Sequence, residues 1–189
     1  MPLFAGRAVI NAAAILSLLG TAAAQVTTSS PTCTQLLQAQ DAKAVAACKA
    51  QLDEAESAPA SELMARIVAE DDYGVALLAV AHQPKQALAV FDREMALLPA
   101  STVKPDSLQW AVAFWHRATA YQQLEQWEHA AGDLGTAEDT LTRAIAAAAG
   151  DEAMARHFAE LRQRVRVQHA NVLNRMGRHR EAQKLLATQ

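Results

Sequence analysis

An all-α fold is predicted by three observations. Apolar residues make up 51% of the 189-residue chain while aromatics make up only 5%, so alanine dominates the apolar fraction. Alanine has the best helix propensity, and its small side chain lets helix backbones approach closely. Seven glycines and six prolines leave little material for a turn-rich β protein. Apolar positions also recur at intervals of three and four along most of the chain, the period of a helix with one buried face.

The chain starts MPLFAGRAVINAAAILSLLGTAAAQ. One positive charge at Arg7, an apolar stretch from Ala8 to Leu19 and small residues from Thr21 to Ala24 have the layout of a secretory signal peptide. Ala22, Ala23 and Ala24 supply the A-x-A cleavage pattern. The competing reading is an N-terminal membrane anchor, but a span takes about 20 apolar residues and this core is shorter. Residues 1–24 are therefore expected to be a signal peptide, 25–32 a flexible leader, and 33–189 a single helical domain of ordinary size. The mature protein is expected in the periplasm, with secretion as the alternative, and without integral membrane contact.

Two cysteines, Cys33 and Cys48, follow the leader. An even number of thiols in an exported chain favours a disulfide, the alternative being two free, buried thiols. The bond would staple the start of one short helix to the middle of the next. Closing a loop of that size stabilises by roughly 3 kcal/mol. A redox role would call for a close C-x-x-C pair, which the sequence lacks.

Helical patterns then run almost without interruption. Leu36, Leu37, Val45, Ala46 and Leu52 predict a short helical pair, with Asp41 able to cap its second member. Ser57 to Ala60 breaks it. Ser61 is expected to cap a helix carrying Leu63, Met64, Ile67, Val68, Val75 and Leu78. Pro84 starts the next, with Leu88, Phe91, Met95 and Leu98 on its apolar face. Pro99 to Pro105 is a break, after which Asp106 or Ser107 opens a helix to about Leu124. Another is expected from Trp127 to Ala149, closed by Gly150. Asp151 starts a long helix to Met176, Gly177 turns the chain, and Arg180 to Thr188 forms the last helix. The elements are expected to pair antiparallel across short turns.

The spacing inside these pairs resembles the tetratricopeptide repeat. Phe114, Ala118 and Tyr121 are followed by Ala130, Leu134 and Ala137, in the order of that repeat's bulky, small and aromatic positions and its A-x3-F half. Ala87, Phe91 and Pro99 match the second half one pair earlier, and Ala170, Leu173, Gly177 and Ala182 match much of it again at the end. Arg117, Val75 and Thr142 depart from the pattern, standing where a leucine, a small residue and a closing proline are usual. The equivalent positions Val75, Ala118 and Ala170 lie 43 and 52 residues apart, against about 34 in the family. Insertions are therefore expected at Ala100–Trp110 and Arg143–Arg162. The resemblance implies antiparallel helical hairpins stacked as a short right-handed superhelix, with repeats at approximately 68–101, 111–144 and 163–189. A generic bundle with alanine-rich seams is the alternative.

The resemblance also implies that the first helix of each pair lines a concave surface. On the helix from Ser107 to Leu124 that face carries Trp115, Thr119 and Gln122; on the third pair it carries Val167, Asn171, Asn174 and Arg175. Aromatic anchors beside amides suit peptide recognition. The alternative for Trp115 is packing against the preceding pair. Asp72, Ala76 and Ala79 occupy the corresponding face of the first pair and give no support to a carboxylate clamp.

Residues 1–150 hold nine basic and sixteen acidic side chains, and residues 151–189 hold eight and four, so net charge runs from −7 to +4. The basic end carries Arg156, Arg162, Arg164, Arg166, Arg175, Arg178, Arg180 and Lys184. It suits an acidic partner or weak contact with an anionic surface, the bland alternative being a solvated face. An exported protein of net charge −3 is not expected to bind nucleic acid.

No H-E-x-x-H, G-x-S-x-G, Walker A or G-x-G-x-x-G motif occurs. The six histidines are scattered, and His129 with Asp133 has no third ligand at a matching spacing. Glu70, Asp71 and Asp72 read as a solvated helix face, and Gly132 and Gly135 as sites where another helix comes close. A non-enzymatic protein without cofactor or metal is expected. It would bind a protein or peptide partner in the bacterial cell envelope, or else act as an immunity protein masking a toxin or hydrolase.

Overall fold

A computed structural model describes residues 30–59 and 62–187. The expected signal peptide, residues 25–29 of the leader and the proposed cap Ser61 lie outside the described residues. Those described hold eight helices and no strand: α1 Cys33–Gln38, α2 Ala44–Ser57, α3 Leu63–Val75, α4 Pro84–Leu97, α5 Leu108–Gln123, α6 Trp127–Ala147, α7 Glu152–Arg175 and α8 His179–Ala187. None is long and apolar enough to cross a membrane.

Cys33 and Cys48 form a disulfide, with Cα atoms 4.8 Å apart. Both are buried. Thr32, the last residue of the expected leader, is the N-cap of α1: its hydroxyl accepts from the Gln35 amide, and the Gln35 side chain accepts from Thr32 N–H in return. Asp41 accepts from the Lys43 amide at 2.8 Å, just ahead of α2, so it orders the turn rather than occupying the N-cap.

Each helix packs on the next from α1 to α8, and alternate helices meet as α1–α3, α3–α5 and α5–α7. The core shows why an alanine-rich sequence builds this arrangement. Ala111 and Ala118 of α5, Ala130, Leu134, Ala137 and Leu141 of α6, and Val165 and Val172 of α7 form one buried cluster. Ala113 and Ala120 face the other way, into clusters with Leu98 and with Phe91 of the preceding pair. α5 is thus wedged between neighbours on two sides.

In the first pair the small residue at the helix contact is Gly74, not Val75. A Cβ on Gly74 would lie 2.4 Å from Phe91 Cε1 of α4, whereas Val75 is half-buried. The chain continues past α3 as one π-helical turn, Ala76–Val80. Such a turn holds one residue more than an α-helical turn. It absorbs the extra residue between Gly74 and Ala87, which are 13 apart against 12 for Ala118 and Ala130.

The expected insertion at Arg143–Arg162 lies mostly within helices, lengthening α6 to 21 residues and α7 to 24. Arg117 forms a bidentate pair with Asp133 at 2.7 and 2.8 Å, reaches Asp92 at 3.2 Å, and lies over the Phe114 and Tyr121 rings. It ties α5 to α6 and α4. Gly132 does not mark a close helix approach, because a Cβ there would meet nothing within 4 Å; at Gly135 it would touch only the His169 ring, at 3.7 Å. Gly177 does have a backbone reason, turning the chain between α7 and α8 at φ +75°.

Candidate functional site

A cavity of about 630 Å³ opens between α5 and α7. Thr119, Gln122 and Gln123 of α5 form one wall, Asn171, Val172, Asn174 and Arg175 of α7 the other, and Trp127 at the start of α6 closes one end. Helical periodicity explains the set. Thr119 and Gln122 are one turn apart, as are Asn171 and Arg175, so both walls carry a polar ridge while Ala118 and Val172 turn into the core between them. None of the lining residues comes from α1 or α2, which pack on α3.

The structure therefore brings Thr119, Gln122, Asn171, Asn174 and Arg175 together. Val167, one turn earlier on α7, is 43% exposed and does not line the cavity. Trp115 does not line the cavity and packs instead against the buried cluster of α5, α6 and α7. Its indole Nε1 donates to Gln168 Oε1 of α7 at 2.6 Å. Gln168 Nε2 donates to Thr119 Oγ1 at 3.0 Å, and that hydroxyl donates to the Trp115 carbonyl at 3.0 Å. This closed chain holds the two walls at fixed separation. Gln168 escaped the sequence reading, although its place one turn before Asn171 and Val172 was a usable signal. Trp127 escaped it because a residue opening the second helix of a pair is not on the face considered.

Two side chains of the lining carry donors that meet no acceptor among the described residues. Gln122 Nε2 is buried without a hydrogen-bond partner. Arg175 makes no ion pair among the described residues and is exposed. The lining carries no carboxylate.

A second polar cluster sits where α3, α4 and α5 meet, and it overturns the expectation that Glu70, Asp71 and Asp72 form a solvated face. Glu70 is 0% exposed and accepts from Arg93 Nε and Nη2 at 3.1 and 2.8 Å. Asp71 pairs with His116 Nδ1 at 2.6 Å, and Asp72 accepts from Gln51 at 3.3 Å. Glu94, also 0% exposed, accepts from Gln109 at 3.3 Å through one oxygen and has no partner for the other. Burial, with Asp71 and Glu70 adding repulsion, pushes the Glu94 carboxyl up to about 9. Burial acts to lower His116, yet Asp71 and Asp72 hold it above its ordinary value. A carboxylic acid beside an Asp–His pair has the composition of an acid–base site, but Glu94 is shut off from any substrate while these helices are packed.

Asp133 is engaged by Arg117, and His129 stacks on Tyr121 with ring centroids 5.1 Å apart. Among the described residues no group of three histidine, cysteine or acidic side chains is placed to hold a metal ion.

No family model matches the chain, and no curated protein or solved structure matches it.

Proposed function

We propose that this chain is a non-enzymatic interaction module of the bacterial cell envelope whose α5–α7 cavity receives an extended segment of a protein partner. The observation that carries this reading is the buried, unpartnered Gln122 Nε2 in a cavity whose lining also holds the carboxamides of Gln123, Asn171 and Asn174. A buried amide donor without an acceptor costs about 1–3 kcal/mol, recovered when a ligand supplies one. Backbone carbonyls of an extended peptide are suitable acceptors, and Asn171 and Asn174 present both donors and acceptors to its amides. The Trp115–Gln168–Thr119 chain supports the reading further, because walls fixed in advance lower the entropy lost on binding.

Stacking of the hairpins as in the tetratricopeptide superfamily fits the packing of each helix on the next and the meeting of odd-numbered helices. Export to the periplasm fits a buried disulfide, which persists in oxidising compartments.

The test is recovery of partners from an envelope extract on the immobilised mature protein, with Gln122→Leu/Asn171→Leu in parallel. A partner retained by the wild type and lost by the variant, and then traced to one extended segment with overlapping peptides, is the expected result. One stoichiometric folded partner with hydrolase activity, held equally by the variant, would replace this reading with an immunity role.

A further inference from the structure

Resting on the proposal that the cavity receives an extended segment, we infer that this segment is acidic and runs along α7, with carboxylates opposite Arg156, Arg164 and Arg175.

The exposed side of α7 is a continuous ridge. At about 100° per residue, the three arginines fall on one side of the helix, together with Val167, Asn171 and Asn174, and all six are exposed. None of the arginines makes an ion pair among the described residues, in contrast to Arg166, which is bound to Glu138, and Arg178, which is bound to Glu181. Glu160 stands one turn from both Arg156 and Arg164 and bonds to neither, so the ridge keeps a net positive charge. Arg175 lies at the cavity and Arg156 near the start of α7, which makes ridge and cavity one track.

The track suits a chain better than a membrane. The one large apolar side chain exposed on the ridge is Val167, and the carboxamides between the charges are partners for a peptide backbone rather than for acyl chains. Spacing also gives a register. At about 1.5 Å per helical residue, the gaps of 8 and 11 residues span roughly 12 and 16 Å. An extended chain at about 3.3 Å per residue covers those gaps in about four and five residues. The partner's acidic residues are therefore expected at that spacing, not as a contiguous run.

Fluorescence anisotropy on the mature protein provides the test. The probe is a labelled Gly/Ser peptide carrying three Glu at about four- and five-residue intervals. It is compared with the same peptide carrying Gln, one with the three Glu adjacent, and vesicles of phosphatidylglycerol and phosphatidylcholine. The spaced acidic peptide should bind best, weakening as salt rises. R156Q/R164Q/R175Q, whose sites are all exposed, should melt as the wild type does and lose roughly tenfold in affinity. Equal binding of the Gln peptide, or no loss in the triple variant, overturns the acidic inference. In that case weakening by Q122L/N171L shows that the cavity reading itself survives. Equal binding of the adjacent-Glu peptide overturns the register. Binding of vesicles without peptide overturns the proposal in favour of a lipid-facing surface. Binding of neither overturns the acidic inference, while the cavity reading is decided separately by partner recovery with Gln122→Leu/Asn171→Leu.

Discussion

Trp115 Nε1 and Gln168 Oε1, 53 residues apart in the chain, meet at 2.6 Å and join α5 to α7 at the edge of the cavity. Gln168→Leu deletes both this bond and the one to Thr119. Stability should fall by about 1–3 kcal/mol, since a part-buried indole N–H is left without its acceptor. Denaturant titration with tryptophan fluorescence reads the change. An unaltered midpoint would mean that Gln168 does not hold the walls.

Gly74 is tested by adding one methyl. Gly74→Ala should destabilise by about 1–3 kcal/mol because the new Cβ collides with the Phe91 ring. Phe91→Leu alone also costs stability, but the double variant should lose less than the two singles combined, as expected for residues in direct contact. Strict additivity would mean that Gly74 and Phe91 are not in contact.

Glu94 makes stability depend on pH. The unfolded carboxyl releases its proton near 4.5, whereas the folded one holds it to about 9. Between those values the unfolded state binds fewer protons, so raising the pH favours unfolding. Glu94→Gln keeps the shape and removes the titration. It should be close to neutral at pH 4 and stabilise by about 1–3 kcal/mol at pH 8. Parallel urea midpoints for both proteins across that range would contradict the buried-acid assignment.

The order and type of the helices were legible because each element buries one face, and a period of three to four residues records that directly. The interior of the acidic cluster was not. Glu70 to Asp72 look solvated until Arg93 and His116, 23 and 45 residues further on, are folded against them. The small residue of the first pair was misplaced by one for a related reason: a π-helical turn shifts the phase after Gly74, and counting from Ala87 lands on Val75. In the candidate site, face arithmetic on α5 and α7 was enough to bring Thr119, Gln122, Asn171 and Arg175 to one cavity. It misdirected Trp115, since the arithmetic says nothing about which side chain will accept from an indole N–H.

The disulfide gives a prediction independent of the site. Cys33→Ser/Cys48→Ser removes the constraint on the unfolded chain and should cost roughly 3 kcal/mol. α1 amides should also exchange faster with solvent, because that short helix keeps few other buried contacts. Unchanged exchange across 33–38 would show that packing alone holds the hairpin.

The cavity as the partner-binding surface is tested most directly by positional photocrosslinking. A benzophenone side chain is placed at Asn171 on the α7 wall and, in a second protein, at Asp139, which is exposed on α6 and does not line the cavity. Both are irradiated with the same envelope extract, and adducts are read by mass shift. A discrete adduct from position 171, none from position 139, and loss of the first on adding Gln122→Leu is the predicted result. Equal adducts at both positions, or an adduct from 139 alone, would contradict it.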